Sequence, residues 1–125
     1  MRLRQLKQFS LIAALAILTM TAAAGADPVA GMADILTGLN HYPDSEEKAS
    51  LNAIATNEAN SEAIRTIAGA IHDMEHRVQP EDKEKLQSIA EDDSVDPETR
   101  ELARILLGIN HKPDPEAVSS LKALQ

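Results

Sequence analysis

A repeat of 35 residues governs what this chain can fold into. Residues 105–121 read ILLGINHKPDPEAVSSL, residues 35–51 read ILTGLNHYPDSEEKASL, and a degenerate third copy lies between them at 70–86. The histidine of the motif recurs as His41, His76 and His111. Periods of 20–50 residues are typical of repeat domains, in which each unit buries its apolar face against its neighbours. The sequence therefore predicts one domain of stacked, similar units.

The first 26 residues have the pattern of an export signal. A basic start that includes Arg2 and Lys7 leads into an apolar run at 9–20, and Ala-Gly-Ala at 24–26 offers a small-residue cleavage site. The uncharged run of 9–26 is short for a hydrocarbon core of about 30 Å, so we expect cleavage and no stable membrane insertion. This predicts a signal peptide at 1–26, a mature domain at 27–125, and a periplasmic or secreted location.

Composition narrows the classes of partner. The net charge is −8, and removal of three basic leader residues makes it −8 − 3 = −11, which argues against nucleic acid and anionic membranes. The chain has one Tyr, no Trp and no Cys. It therefore lacks aromatic platforms for stacking bases, and its core has no disulfides to support it.

Helical periodicity and capping residues predict six helices. Asp-Pro pairs at 27–28, 96–97 and 114–115, Pro80 and the Asp44/Glu47 capping box mark five starts, and Asn60 or Ser61 caps the third helix. The third helix is expected to be the longest, because its apolar stripe continues to Val78.

Alignment on the period predicts how the helices pack. The helices that carry a leucine at 51, 86 and 121 are expected to lie inside, and the others carry an alanine at 33, 68 and 103 that permits close helix contact. Three hairpins would then stack into a short right-handed α-solenoid whose first and last helices act as caps. The predicted fold class is all-α.

One unit resembles a known repeat. Segment 86–109, with Asp96-Pro97-Glu98 followed by Arg100 and ending in Leu107-Gly108, resembles the HEAT-like repeat of the PBS-lyase type. The resemblance is poor over 46–80, where the Asp-Pro start and the glycine are missing. It implies a scaffold that binds proteins along a helical surface, and it carries over no catalytic residues.

Residues 72–76 fit the His-x-x-Glu-His pattern of inverted zinc proteases. On a helix His72 and His76 would share a face, but a zinc hydrolase needs a third ligand and a cleft. The alternatives are a solvated helix face and a two-histidine site for zinc, copper or nickel. A small metal-binding protein using His72 and His76 is thus one functional hypothesis.

The recurring histidines allow a separate hypothesis. Stacked repeats would set His41, His76 and His111 about 10 Å apart, too far for one metal ion to bridge. Each histidine would interact favourably with the negative end of a helix dipole, or the three histidines would form a pH-responsive row.

The comparatively basic flank of the second helices is the expected partner face. Its candidate residues are Arg65, His72, His76, Arg100, Arg104, Leu107 and His111. The alternative is that the arginines at 100 and 104 pair with Glu101 and other acids of the same chain. We therefore expect an exported, non-enzymatic protein-binding or adaptor module without a cofactor. An inhibitor or immunity-type protein would look the same, and the terminal helices could form a homo-oligomer.

Overall fold

The computed structural model describes residues 27–125 and contains six α-helices in that range. The predicted signal peptide at 1–26 lies outside the described residues. The helices are α1 (Pro28–Thr37), α2 (Ser45–Thr56), α3 (Glu62–Asp73), α4 (Pro80–Glu91), α5 (Pro97–Gly108) and α6 (Pro115–Ala123). In the described part of the chain, no helix is long and apolar enough to cross a membrane.

The predicted helix starts are confirmed. Asp44 and Glu47 form the capping box of α2, with both hydrogen bonds present. The Ser61 hydroxyl caps α3, and a proline occupies the first turn of the remaining four helices. These starts depend on contacts within four residues, which is why the sequence predicts them well.

The helices α1, α3 and α5 form the centre of the molecule, and each of the three contacts the other two. Each presents four buried residues to the core. The recurrent alanines, Ala33, Ala68 and Ala103, are fully buried, as the alignment predicts. Small side chains at these positions allow three helix backbones to approach one another.

The helices α2, α4 and α6 lie outside this central trio, which corrects the expectation that they are the inner ones. They pack mainly against α3, α5 and α1 respectively. Leu51, Leu86 and Leu121 are fully buried and attach the three outer helices to the centre. The outer helices α2 and α6 each bury one residue and α4 buries three, whereas each central helix buries four.

The first and last helices pack against each other. The Gln125 Nε2 donates to Thr37 Oγ1 at 2.9 Å across the same junction. The three repeats thus close into a ring in which the third outer–central pair joins the two ends of the described chain. An open solenoid with the terminal helices as separate caps is not confirmed.

The end of α3 also differs from expectation. The helix stops at Asp73, and its cap, Met74, is extended, with φ −71° and ψ 145°. With twelve residues, α3 is as long as α2, α4 and α5. Both Met74 and Val78 are buried although neither lies on the helix. The apolar stripe therefore continues through a loop, which a helical periodicity cannot reveal.

Candidate metal centre

The same backbone turn follows each central helix. Three or four residues beyond the ends of α1, α3 and α5, the chain places His41, His76 and His111 in the left-handed region, with φ 78°, 69° and 73°. Within residues 27–125 these are the residues with positive φ, and none of them is glycine. An L-residue in this conformation costs about 1–2 kcal/mol, which glycine avoids and asparagine tolerates better.

A cyclic set of backbone hydrogen bonds joins the three turns. The N–H of His41 donates to the carbonyl of His111 at 2.6 Å, that of His76 to His41 at 2.8 Å, and that of His111 to His76 at 2.5 Å. These bonds link all three repeats around one axis. They involve no side chain, so the backbone arrangement does not by itself require histidine.

The three imidazole rings converge beside this backbone ring. The ring centroids are 5.0 Å apart for His41 and His76, 5.2 Å for His41 and His111, and 4.6 Å for His76 and His111. One nitrogen from each ring lies within 4.8 Å of the others. The expected row with spacings of about 10 Å is therefore wrong. The interaxial distance of packed helices does not apply to residues that lie beyond the helix ends and close to a common axis.

Neighbouring asparagines orient two of the rings. The Nδ1 of His41 lies 2.8 Å from Asn40 Oδ1, and the Nδ1 of His111 lies 2.9 Å from Asn110 Oδ1. Because an amide oxygen can only accept, Nδ1 is the donor in both bonds, and in a neutral ring this leaves the lone pair on Nε2. Metal-binding histidines commonly have such a partner on the other ring nitrogen.

The third ring differs in this respect. Glu75 stands at the repeat position of the two asparagines. In the described part of the chain no side-chain hydrogen bond joins it to His76. The tautomer of His76 is therefore not fixed in the way that those of His41 and His111 are.

The cluster can act as a three-nitrogen ligand for a metal ion. Zinc bound at about 2.0–2.1 Å in tetrahedral geometry sets its nitrogen ligands about 3.3 Å apart, so small side-chain rotations would bring the nitrogens into range. His76 and His111 are exposed and His41 is half-buried, which leaves the remaining coordination positions open to solvent. The C-terminal ends of three helices lie nearby, and their negative dipoles favour a cation.

His72 lies outside this cluster. It sits on the last turn of α3, and its Nδ1 is 2.8 Å from Asp73 Oδ1. Since α3 ends at Asp73, His72 and His76 do not share a helix face. The helical arrangement predicted from the His-x-x-Glu-His pattern is therefore not formed.

The arginines predicted to bind a partner make contacts within the chain. Arg65 Nε donates to the carbonyl of Asn60 at 3.2 Å, and Arg100 lies 3.5 Å from Asp93. These two arginines stand at the same repeat position, and both attach a central helix to the loop before it.

Arg104 attaches α5 to the last turn of α4. It donates to the carbonyl of Ala90 at 3.1 Å and to Glu101 at 3.2 Å. Leu107, which lies on the same helix, packs half-buried against the core. The pairing of Arg104 with Glu101 is the contact within the chain that the sequence offers as the alternative to binding a partner.

The periodicity of the sequence does not predict the three-histidine cluster, although the sequence contains a signal for it. The dipeptide Asn-His recurs at 40–41 and 110–111, at a repeat position where the chain has to turn and where a glycine is absent. A repeated bulky residue in such a turn indicates that its side chain is needed.

No protein-family model matches this chain. Neither a curated protein nor a solved structure matches it.

Proposed function

We propose that this protein binds a divalent transition-metal ion through the imidazoles of His41, His76 and His111. One observation carries the proposal: three residues in the left-handed conformation direct their rings to the same point. Glycine or asparagine would form the same backbone turn with less strain. Strained backbone positions that persist are typical of functional sites, and what the three positions gain from histidine is the side chain.

The donor set indicates the class of metal. Neutral imidazole suits zinc, copper and nickel, whereas calcium and magnesium prefer oxygen ligands. Three ligands with open positions leave room for water or a further donor on the ion. We therefore place zinc, nickel and copper(II) above hard cations for this site.

The sequence supports a cellular location and a repeat class for this metal-binding protein. The leader-like segment at 1–26 supports export to the periplasm or beyond, and the period of 35 residues supports a HEAT-like origin of the repeat, here closed by contact between α1 and α6 rather than open. The role is one of binding, without catalysis. Binding of a protein partner stays a second hypothesis, and the internal bonds of Arg65 and Arg104 reduce its support.

Metal uptake tests the proposal. Protein purified without a histidine tag and stripped with chelator is titrated with zinc and nickel by calorimetry. We expect saturable uptake of no more than one ion per chain. The variant with asparagine at 41, 76 and 111 should bind none, because asparagine keeps the turn and removes the imidazole.

The matched control is His72→Asn, which removes the fourth histidine of the chain and should leave uptake intact. Equal uptake by the parent and the triple variant would overturn the proposal. Loss of uptake in His72→Asn would indicate that the metal binds at His72 and His76, the pair predicted from the sequence.

A further inference from the structure

The three histidines supply donors on one side of a metal ion only. In the described part of the chain they are the sole group of three or more histidine or acidic side chains whose ligand atoms lie within 4.8 Å of one another. Their nitrogens would form one triangular face of the coordination sphere of a bound ion. The opposite face is directed away from the chain, since His76 and His111 are exposed. The site is therefore incomplete without donors from elsewhere.

The surface around the histidines is suited to a second copy of this chain. The loops 38–44, 74–79 and 109–114 carry three acidic and two basic residues, a net charge of −1: Asp44, Glu75, Asp114, Arg77 and Lys112. The loops 57–61 and 92–96, at the opposite ends of the central helices, carry four acidic and no basic residues: Glu58, Asp92, Asp93 and Asp96. The loops at the histidine end are therefore the less acidic set, and two copies that meet through them repel each other less than through the loops at the opposite end.

An exposed aromatic residue lies next to the cluster. Tyr42 follows His41 and is 58% exposed, and it is the one large apolar side chain exposed to that extent within residues 27–125. Tyrosine is enriched among the residues that dominate protein interfaces. The basic residues Arg77 and Lys112 occupy the corresponding positions of the other two repeats, where they can pair with Glu75 of a second copy.

We propose that two copies of this protein meet head to head across one metal ion, and that each copy supplies His41, His76 and His111. The ion then has six imidazole nitrogens in octahedral coordination, an arrangement that nickel(II) accepts. The two copies are related by a two-fold axis, so the same surface is used on both sides. This inference rests on the proposed metal binding. It adds a second copy of the chain as the partner and a stoichiometry of one ion for two chains.

The test of this dimer is a titration with nickel in which light scattering measures the molar mass at each step. We expect the mass to double and the calorimetric end point to fall at half an equivalent of nickel, with reversal by chelator. Tyr42→Lys removes one interface anchor from each copy and should weaken nickel-dependent dimerisation by about tenfold or more. His72→Asn should leave the dimer unchanged.

The possible failures are distinguishable. A monomer that binds one full equivalent of nickel overturns the dimer and leaves the proposed function standing. A chain that binds no nickel and no zinc overturns both. Doubling of mass that persists in chelator overturns the bridging role of the ion.

Discussion

The backbone N–H of His41 donates to the carbonyl of His111 at 2.6 Å, although the two residues are seventy positions apart in the chain. This bond joins the first repeat to the third, and His76 completes the cycle with bonds to both. At the other side of the same junction, α1 and α6 pack together. The first and last helices of the described chain are therefore joined in the fold, and we expect a change at one of them to affect the other.

Truncation of the leucine that attaches α6 to the central helices should test this connection between the two ends. Leu121 is fully buried on α6, and Leu121→Ala should lower the free energy of unfolding by about 2–5 kcal/mol. Hydrogen exchange should show loss of protection in α1 as well as α6. The control Leu124→Ala changes a half-buried residue of the same segment and should have a smaller effect. Loss of protection confined to α6 would indicate an open array with a fraying end.

Replacement of one cluster histidine should separate stability from binding. His76→Asn keeps a residue that tolerates the left-handed conformation, so we expect the metal-free free energy of unfolding to stay within about 1 kcal/mol of the parent or to rise. The increase in melting temperature caused by zinc should disappear. A large loss of metal-free stability would mean that the imidazole has a packing role instead.

The asparagine beside a cluster histidine should tune the affinity for metal. Asn40→Ala removes the acceptor that holds His41 Nδ1, and we expect zinc affinity to fall about 10–100-fold. The control Asn52→Ala lies on the exposed side of α2 and should have no effect. In the reverse direction, Glu75→Asn gives His76 the partner that the other two rings have, and it should raise the affinity. Unchanged affinity in both variants would show that the asparagines do not orient the ligands.

The start of α5 predicts a dependence of stability on pH. The buried Thr99 hydroxyl donates to Asp96 Oδ2 and lowers the pKa of that carboxyl, as do the backbone N–H bonds of the first turn. A depressed pKa adds stability above the unfolded value of about 3.9, and this stability is lost as the pH falls through the folded pKa.

Thr99→Val should therefore lower the free energy of unfolding by about 1 kcal/mol at pH 7. The difference from the parent should shrink as the pH falls through the lowered pKa of Asp96 in the folded protein. Denaturant unfolding at several pH values measures it. Thr56→Val, which removes a hydroxyl bonded to a backbone carbonyl at an exposed helix end, should show no such pH dependence. A pH-independent loss in Thr99→Val would point to packing alone.

The sequence predicts where the helices of this protein begin. It does not predict that the three repeats close into a ring. Helix starts such as those at Asp44 and Pro97 follow from residues within one turn. The choice between an open stack and a closed ring of three depends on the angle between successive repeats and on contacts between α1 and α6. These are tertiary quantities that a period of 35 residues leaves undetermined.

The error about the histidines has the same origin. Their spacing in the sequence is regular, and in an open stack it would place the rings far apart. In the ring, the three turns meet at the axis, and the distance between His76 and His111 centroids falls to 4.6 Å. The metal hypothesis drawn from His72 and His76 assumed that α3 extends past Asp73, whereas the helix ends there.

Imidazole nitrogen NMR during a zinc titration tests the central claim most directly, because the chain has four histidines and zinc is diamagnetic. The account predicts that the ring signals of His41, His76 and His111 shift together while His72 stays unchanged. Joint shifts of His72 and His76 with unchanged His41 and His111 would contradict it, as would the absence of any shift.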